Sequence, residues 1–595
     1  MAGEIEDRGA AQVHWLVVGE FGLGEPGRTL HLTRADFNEA LEKAGLTVSA
    51  SVPDIVGDGE AKSITMKIGS LKDLTLKNVF KAVPELAELA GKADQIAKIK
   101  DPTTDDLERL FGKGALYDAL ATELEPPAEA ASADAGEVTG DTDTILSKAE
   151  VQKPTAKSAI DMFVRATSSS RKKASKPSSR KLRDLAEAAI WGLASSVLRS
   201  EEVRKIENGW RGLRFLLTQC PKDAGMEVIL LEATPETVLE QLGKRDRGED
   251  IDEPDCIFVP HEFATTSGLS ELADFAEQEL IPIVVGATPT LYGTEDPQAV
   301  PGQFEALEAA NNTDLPEWAT AWDELRMVEA TRWLCAVTNP IALYTEGKGT
   351  AERVVFGSPV WGIAAMLAAS YKNSGGFARI FGKAGSLSAP ASHTLPKGRY
   401  SDTAAPTEAF YPIASAELLS KNGVLGVGAA RNSDTLALLK APMVRGAKDA
   451  VPLPAQILTG RVVRFATWVK SQLPEGCNSA TANDIFMSAA SVFLFPGQET
   501  AAHVRAAVTN IEGEAHVMVR AKANPAVASV PFEIVFPMPL HWSVPAPEDD
   551  GPSEAAGPSA GEAAEVKAEA TGDKPEGSVG MAGGSVGFDV GLDDK

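Results

Sequence analysis

The stretch ELEPPAEAASADAGEVTGDTD, beginning at Glu123, is built from Pro, Ala, Gly and acidic residues and holds almost no core formers. Such a segment cannot bury enough apolar surface to offset its chain entropy, so it should be a flexible linker. It constrains the fold more than any motif does, because it divides the 595 residues into separately packed parts. The composition changes again near residue 543, where Ala, Gly, Pro and acids predict a disordered acidic tail over 543–595. The expected organisation is a first domain over 1–122, a linker over 123–181, a large region over 182–542 and that tail.

The first part alternates strand and helix signals. VHWLVVGEF (13–21) is a short apolar strand, and TRADFNEALEKAG (33–45) reads as a helix with Thr33 as N-cap and Gly45 beyond its end. LTVSASV (46–52) and SITMKIGS (63–70) alternate like half-buried strands. The segment 75–99 is helical by spacing, and Pro84 should kink it or split it in two.

Within the linker lies a small island, KSAIDMFVRA (157–166), whose Ile160, Phe163 and Val164 can form one apolar helical stripe. A basic, Ser-rich run follows at 168–181 and reads as a solvated tether. Beyond it, strands such as MEVILLEA (226–233), DCIFVP (255–260) and IPIVVGA (281–287) alternate with helices. That order predicts a mixed α/β fold. Three strand candidates over 503–538 have no helix between them, which predicts a terminal antiparallel sheet or a sheet edge. In AHVMVRAKA, Val517 and Val519 alternate with His516, Met518 and Arg520, so one face can be buried.

Several chemistries are disfavoured. A net charge of −27 argues against nucleic acid as a partner. No apolar run reaches the roughly 18 residues of a membrane span, and no signal peptide follows Met1, so a cytoplasmic protein is expected. Cys220, Cys256, Cys335 and Cys477 lie far apart and read as free thiols. GEFGLGEPG (19–27) follows a strand, as a phosphate-cradling loop would, but it lacks both the dinucleotide order and a following Gly-Lys-Ser/Thr. HEFAT (261–265) lacks the second histidine of a zinc-protease helix. No catalytic signature emerges, and neither an enzyme nor a cofactor or metal site is expected.

The order of further segments carries a resemblance. In SSVLRSEEVRKIENGWRGLRFLL, the residues Leu198, Glu207, Trp210, Arg211, Gly212 and Leu213 resemble the helix and Trp-Arg-Gly-Leu element of the large sheath protein of type VI secretion systems (TssC, or VipB). Segments 280–293, 322–347 and 356–382 resemble that family in the same order. Asp36, Phe37, Val83, Pro84, Glu85 and Leu86 resemble the small sheath protein (TssB, or VipA). The two are normally separate chains; here they are joined.

The resemblance implies a structural subunit of a contractile sheath that polymerises into a helical tube and propels an inner tube. Its implied partners are further copies of itself, an Hcp-like inner-tube protein, baseplate components and a ClpV-like AAA+ unfoldase. The unfoldase would recognise Ile160, Phe163 and Val164. Trp210, Arg211, Gly212 and Leu213 would form a packing and assembly joint, and Val517 and Val519 would lie on a strand exchanged between neighbours. The alternatives are the sheath of a phage-tail-like or other contractile injection system, and a nucleotide-binding α/β enzyme using the loop at 19–27.

Overall fold

The computed structural model describes residues 13–56, 61–124, 179–222, 225–248, 250–309, 315–347, 353–396, 400–447, 450–496, 498 and 502–542. The island at 157–166, most of the expected linker and the tail from 543 lie outside the described residues. The chain forms two compact units, one of 1–37 with 208–595, the other of 38–207.

In the first unit the strands β1 (Val13–Gly19), β2 (Thr29–Leu32), β3 (Met226–Glu232), β4 (Cys256–Phe263), β5 (Ile283–Ala287), β6 (Leu334–Thr338) and β7 (Val424–Gly426) form one sheet. Its order is β7-β6-β5-β4-β1-β3-β2. Every pairing is parallel except that of β2 with β3. All seven residues of β1 are buried. A strand buried on both faces reads as a near-continuous apolar run, and VHWLVVG, broken only by His14, is one. It therefore sits inside the sheet, with Val13 opposite Met226 on one side and Trp15 opposite Cys256 on the other.

The compact units thus cut across the expected divisions at 122 and 182. The N-terminal strands complete a sheet whose other members begin at residue 226, and residues 182–207 pack with the unit of 38–207. Chain order alone placed β1 with the helix that follows it; burial on both faces requires parallel neighbours, which come from later in the chain.

The second unit holds an antiparallel hairpin of Leu46–Pro53 and Ala61–Ile68, in unbroken register from Leu46 opposite Ile68 to Pro53 opposite Ala61. Around it lie the helices Pro84–Ile96, Thr104–Phe111, Ala115–Leu124 and Ser179–Arg199. Pro84 does split its segment: Val79–Ala82 ends at an extended Val83, and Pro84 opens the next helix at a position where its missing N–H costs nothing. The helix expected from Thr33 begins only at Phe37. The Thr33 hydroxyl donates instead to the Asp36 carboxylate at 2.6 Å, which uses the intervening residues in a turn.

The chain also forms the helices α1 (Glu201–Gln219), α2 (Val360–Ser374), α3 (Leu453–Ser471) and α4 (Ser479–Phe493). The strands β8 (Ala502–Ile511), β9 (Glu514–Ala523) and β10 (Phe532–Pro539) form the expected antiparallel sheet, in the order β8-β9-β10. One face of it shares a core with α3 and α4 through residues such as Val462, Phe465, Phe486, Val504, Val519 and Ile534.

Candidate assembly joint

Trp210 is fully buried on α1, and its indole N–H donates to the Phe21 carbonyl at 2.9 Å. Phe37 meets its ring edge-on at 5.8 Å. Two glycines make that approach feasible. A Cβ on Gly209 would stand 3.2 Å from the Phe21 ring, and one on Gly212 would stand 2.3 Å from the indole of Trp361 on α2. The second distance is below any real contact, so Gly212 is required for α1 and α2 to lie this close. Leu213 is fully buried, and the Arg211 guanidinium sits 3.8 Å from the centroid of the Tyr344 ring. The four residues singled out in the sequence are therefore inward-facing and pack within one unit; Tyr344 and Trp361 are the partners that sequence spacing could not identify.

The glycine-rich loop has an internal occupant. Glu232, the last residue of β3, accepts the N–H groups of Phe21 at 3.0 Å, Gly22 at 3.3 Å and Leu23 at 3.1 Å. Successive backbone amides of this kind make an anion-binding concavity. Here a carboxylate of the same chain fills it. Burial pushes the Glu232 carboxyl above its ordinary range, against the pull of the three donors. His261 lies on β4, not on a helix; its Nε2 meets the Ala233 carbonyl at 3.1 Å. Among the described residues no group of three or more His, Cys, Asp or Glu is placed to hold a metal.

A second polar cluster locks α3 to the sheet. Asp255, just before β4, accepts from Arg461 at 2.5 Å and from Arg464 at 3.0 Å, and all three are buried. Arg461 also donates to the Phe493 carbonyl and Arg464 to the Leu280 carbonyl. Burial pulls the Arg464 guanidinium below its usual range, an effect that Asp255 opposes. The cysteines are free, as expected, and burial pushes the Cys220 thiol up to about 12.

Val517 and Val519 are fully buried on β9, but β9 is not an edge. Val519 lies opposite Ala506 on one side and Phe536 on the other. A two-residue turn joins β8 to β9, and a connection holding the short helix Pro525–Ala528, not expected from the sequence, joins β9 to β10, so the middle strand lies in the centre. The outer edge of β8 is also covered: Asn483 accepts from the Ala506 N–H and Ser479 from the Val508 N–H, both from α4. The outer edge of β10 is different. The Leu540 N–H donates to Ala515, so the alternating residues Glu533, Val535, Pro537 and Pro539 turn their backbone outward. Two of these four are prolines, which lack a donor and are tolerated on an edge for that reason. Glu533 and Val535 retain theirs.

Packed aromatics and a loop filled by Glu232 hold these elements together. Residues 25–121 match a family model described as "Type VI secretion system, VipA". Over that segment the chain is similar to the small sheath proteins of type VI secretion. Three solved structures are similar to the chain at low level. A baseplate structure of the anti-feeding prophage is 10% identical, covering 58% of this chain and 80% of that one, with TM-score 0.31. A contracted sheath complex of the extracellular contractile injection system PVC is 10% identical over 59% and 80%, with TM-score 0.30. A contracted helical sheath of the anti-feeding prophage is 13% identical over 58% and 81%, with TM-score 0.29. Likenesses of this degree carry no fold or function by themselves. No curated protein sequence is significantly similar to the chain. Among the described residues no helix is long and apolar enough to cross a membrane.

Proposed function

We infer that this chain is a two-component sheath subunit, with a small sheath protein joined to a TssC-like large partner. The observation that carries this reading is the position of β1. A strand from before the 25–121 match is central in a sheet whose remaining parallel strands all follow residue 225. Two separate chains would have to interlock through that strand; one chain fixes their ratio and raises the effective concentration of one half for the other. Copies would assemble through a heterologous interface that propagates a helix. The outer edge of β10 is the place where a neighbour's strand would add. An Hcp-like inner tube, baseplate components and a ClpV-like unfoldase acting on Ile160, Phe163 and Val164 complete the assignment.

Cleavage at a protease site inserted within 125–178 tests the interlock. The two fragments should stay together on a sizing column in native buffer and part only on unfolding; separation in native buffer overturns the reading. Negative-stain microscopy of the intact chain tests the polymer, since the inference requires hollow tubes.

A further inference from the structure

The face of the β8-β9-β10 sheet opposite its core carries a charge pattern at odds with the rest of the chain. Alternation places His503, Arg505, Ala507 and Thr509 of β8 on it, with His516, Met518, Arg520 and Lys522 of β9 and Glu533, Val535, Pro537 and Pro539 of β10. Arg505 stands directly opposite Arg520, and His503 directly opposite Lys522. The like charges of Arg505 and Arg520, facing each other across strands, are destabilising. One carboxylate, Glu533, serves both Arg520, at 2.7 Å from its Nε, and Lys522, at 3.6 Å. The guanidinium of Arg505 meets the Met487 sulfur, and among the described residues no carboxylate forms an ion pair with it. In a chain of net charge −27, this exposed cluster of unlike sign calls for an anionic cover.

We propose that the outer face of this sheet docks the acidic stretch Glu548-Asp549-Asp550 of the same chain. Residues 543–595 contain twelve Asp and Glu against three Lys. This segment leaves the sheet at Trp542, three residues beyond the end of β10. From Trp542 to Glu548 extended chain reaches about 20 Å. The return path along β10 from Pro539 to Val535, which lies opposite Arg520, is about 13 Å. A reversal near Pro545 and Pro547 therefore brings the three acids over Arg505, Arg520 and Lys522 within the same molecule.

The test is zero-length carbodiimide crosslinking of the intact chain, read by mass spectrometry, with light- and heavy-isotope chains mixed beforehand. The expected product joins Lys522 to Glu548, Asp549 or Asp550 within chains of one isotope. Its yield should fall about tenfold near 1 M salt, where the screening length is about 3 Å. The double variant Arg505→Ser/Arg520→Ser should lower it similarly with an unchanged circular dichroism spectrum. Arg505→Ser alone supplies the comparison if the double variant unfolds. Absence of the product, insensitivity to both salt and substitution, or a product found mainly between light and heavy chains would each overturn the proposal. The last outcome would assign the face to a second copy.

Discussion

The indole N–H of Trp210 donates to the backbone carbonyl of Phe21, 189 positions earlier in the chain. That bond ties the loop after β1 to helix α1, and Gly209 and Gly212 flank it so that Phe21 and Trp361 can close on either side. Trp210→Phe keeps an aromatic ring and leaves the Phe21 carbonyl without this donor. The expected loss is about 1–3 kcal/mol of unfolding free energy in urea. Gly212→Ala must displace the Trp361 ring and should cost about 1–3 kcal/mol through overpacking. Combining it with Trp361→Leu should recover part of that loss. Additive losses in the double variant would show that the two residues are not coupled.

Glu232 gives a pH-dependent expectation. Its folded carboxyl value is raised, first by burial, so the folded state holds the proton more tightly than the unfolded chain does. The stability linked to this group is then fully present below the ordinary carboxyl value, about 4.3, and is lost as pH rises through the raised folded value. Glu232→Gln removes that titration. The stability of the parent chain minus that of the variant should fall across this window; a difference that is flat or rises with pH would reject the burial argument. Because Glu232 already fills the amide concavity, ATP or GTP should not raise the melting temperature of the parent chain, and a clear rise would revive the nucleotide-enzyme alternative.

Asp255 holds two arginines in the interior, and removing one partner of such a cluster leaves charge buried without compensation. Asp255→Ala should therefore cost about 3–5 kcal/mol. Chemical denaturation checks the size. A loss under 1 kcal/mol would mean that water or a neighbouring group already satisfies Arg461 and Arg464.

How far the sequence foretold this molecule depends on the range of each interaction. Hairpin 46–68, the split at Pro84 and the three late strands were legible because they rest on local spacing and on one proline's missing donor. The apolar run of β1, broken only by His14, announced burial on both faces, yet nothing nearby said that its partners were Met226–Glu232 and Cys256–Phe263. Trp210, Gly212 and Leu213 were legible as a packing element, while the identity of Trp361 across the contact was not. Glu232 was overlooked altogether. An acid closing an apolar strand, taken with a glycine-rich loop that lacks a phosphate signature, was the available signal. That β9 is the middle strand of its sheet was not legible, because alternation reveals a half-buried strand but not the number of its neighbours.

That difference between a central strand and an edge yields the last prediction. Val519 lies opposite Phe536 at a position where the backbone bonds run between β9 and β10, so Val519→Pro deletes a ladder donor inside the sheet. The expected cost is about 3 kcal/mol or more, with loss of the β8-β9-β10 sheet rather than a clean assembly defect. Val535 sits one row away on β10 with its backbone turned outward, so Val535→Pro leaves the internal ladder intact and removes only an edge donor. With Pro537 and Pro539 already on that edge, the substitution leaves Glu533 as its remaining outward donor among these four. The variant should keep the parent circular dichroism spectrum and melting temperature within a few degrees, yet fail to form long tubes. Tubes of normal length from Val535→Pro would remove β10 as the strand-accepting edge, and unfolding of that variant would show that the alternation along β10 had been assigned in the wrong phase.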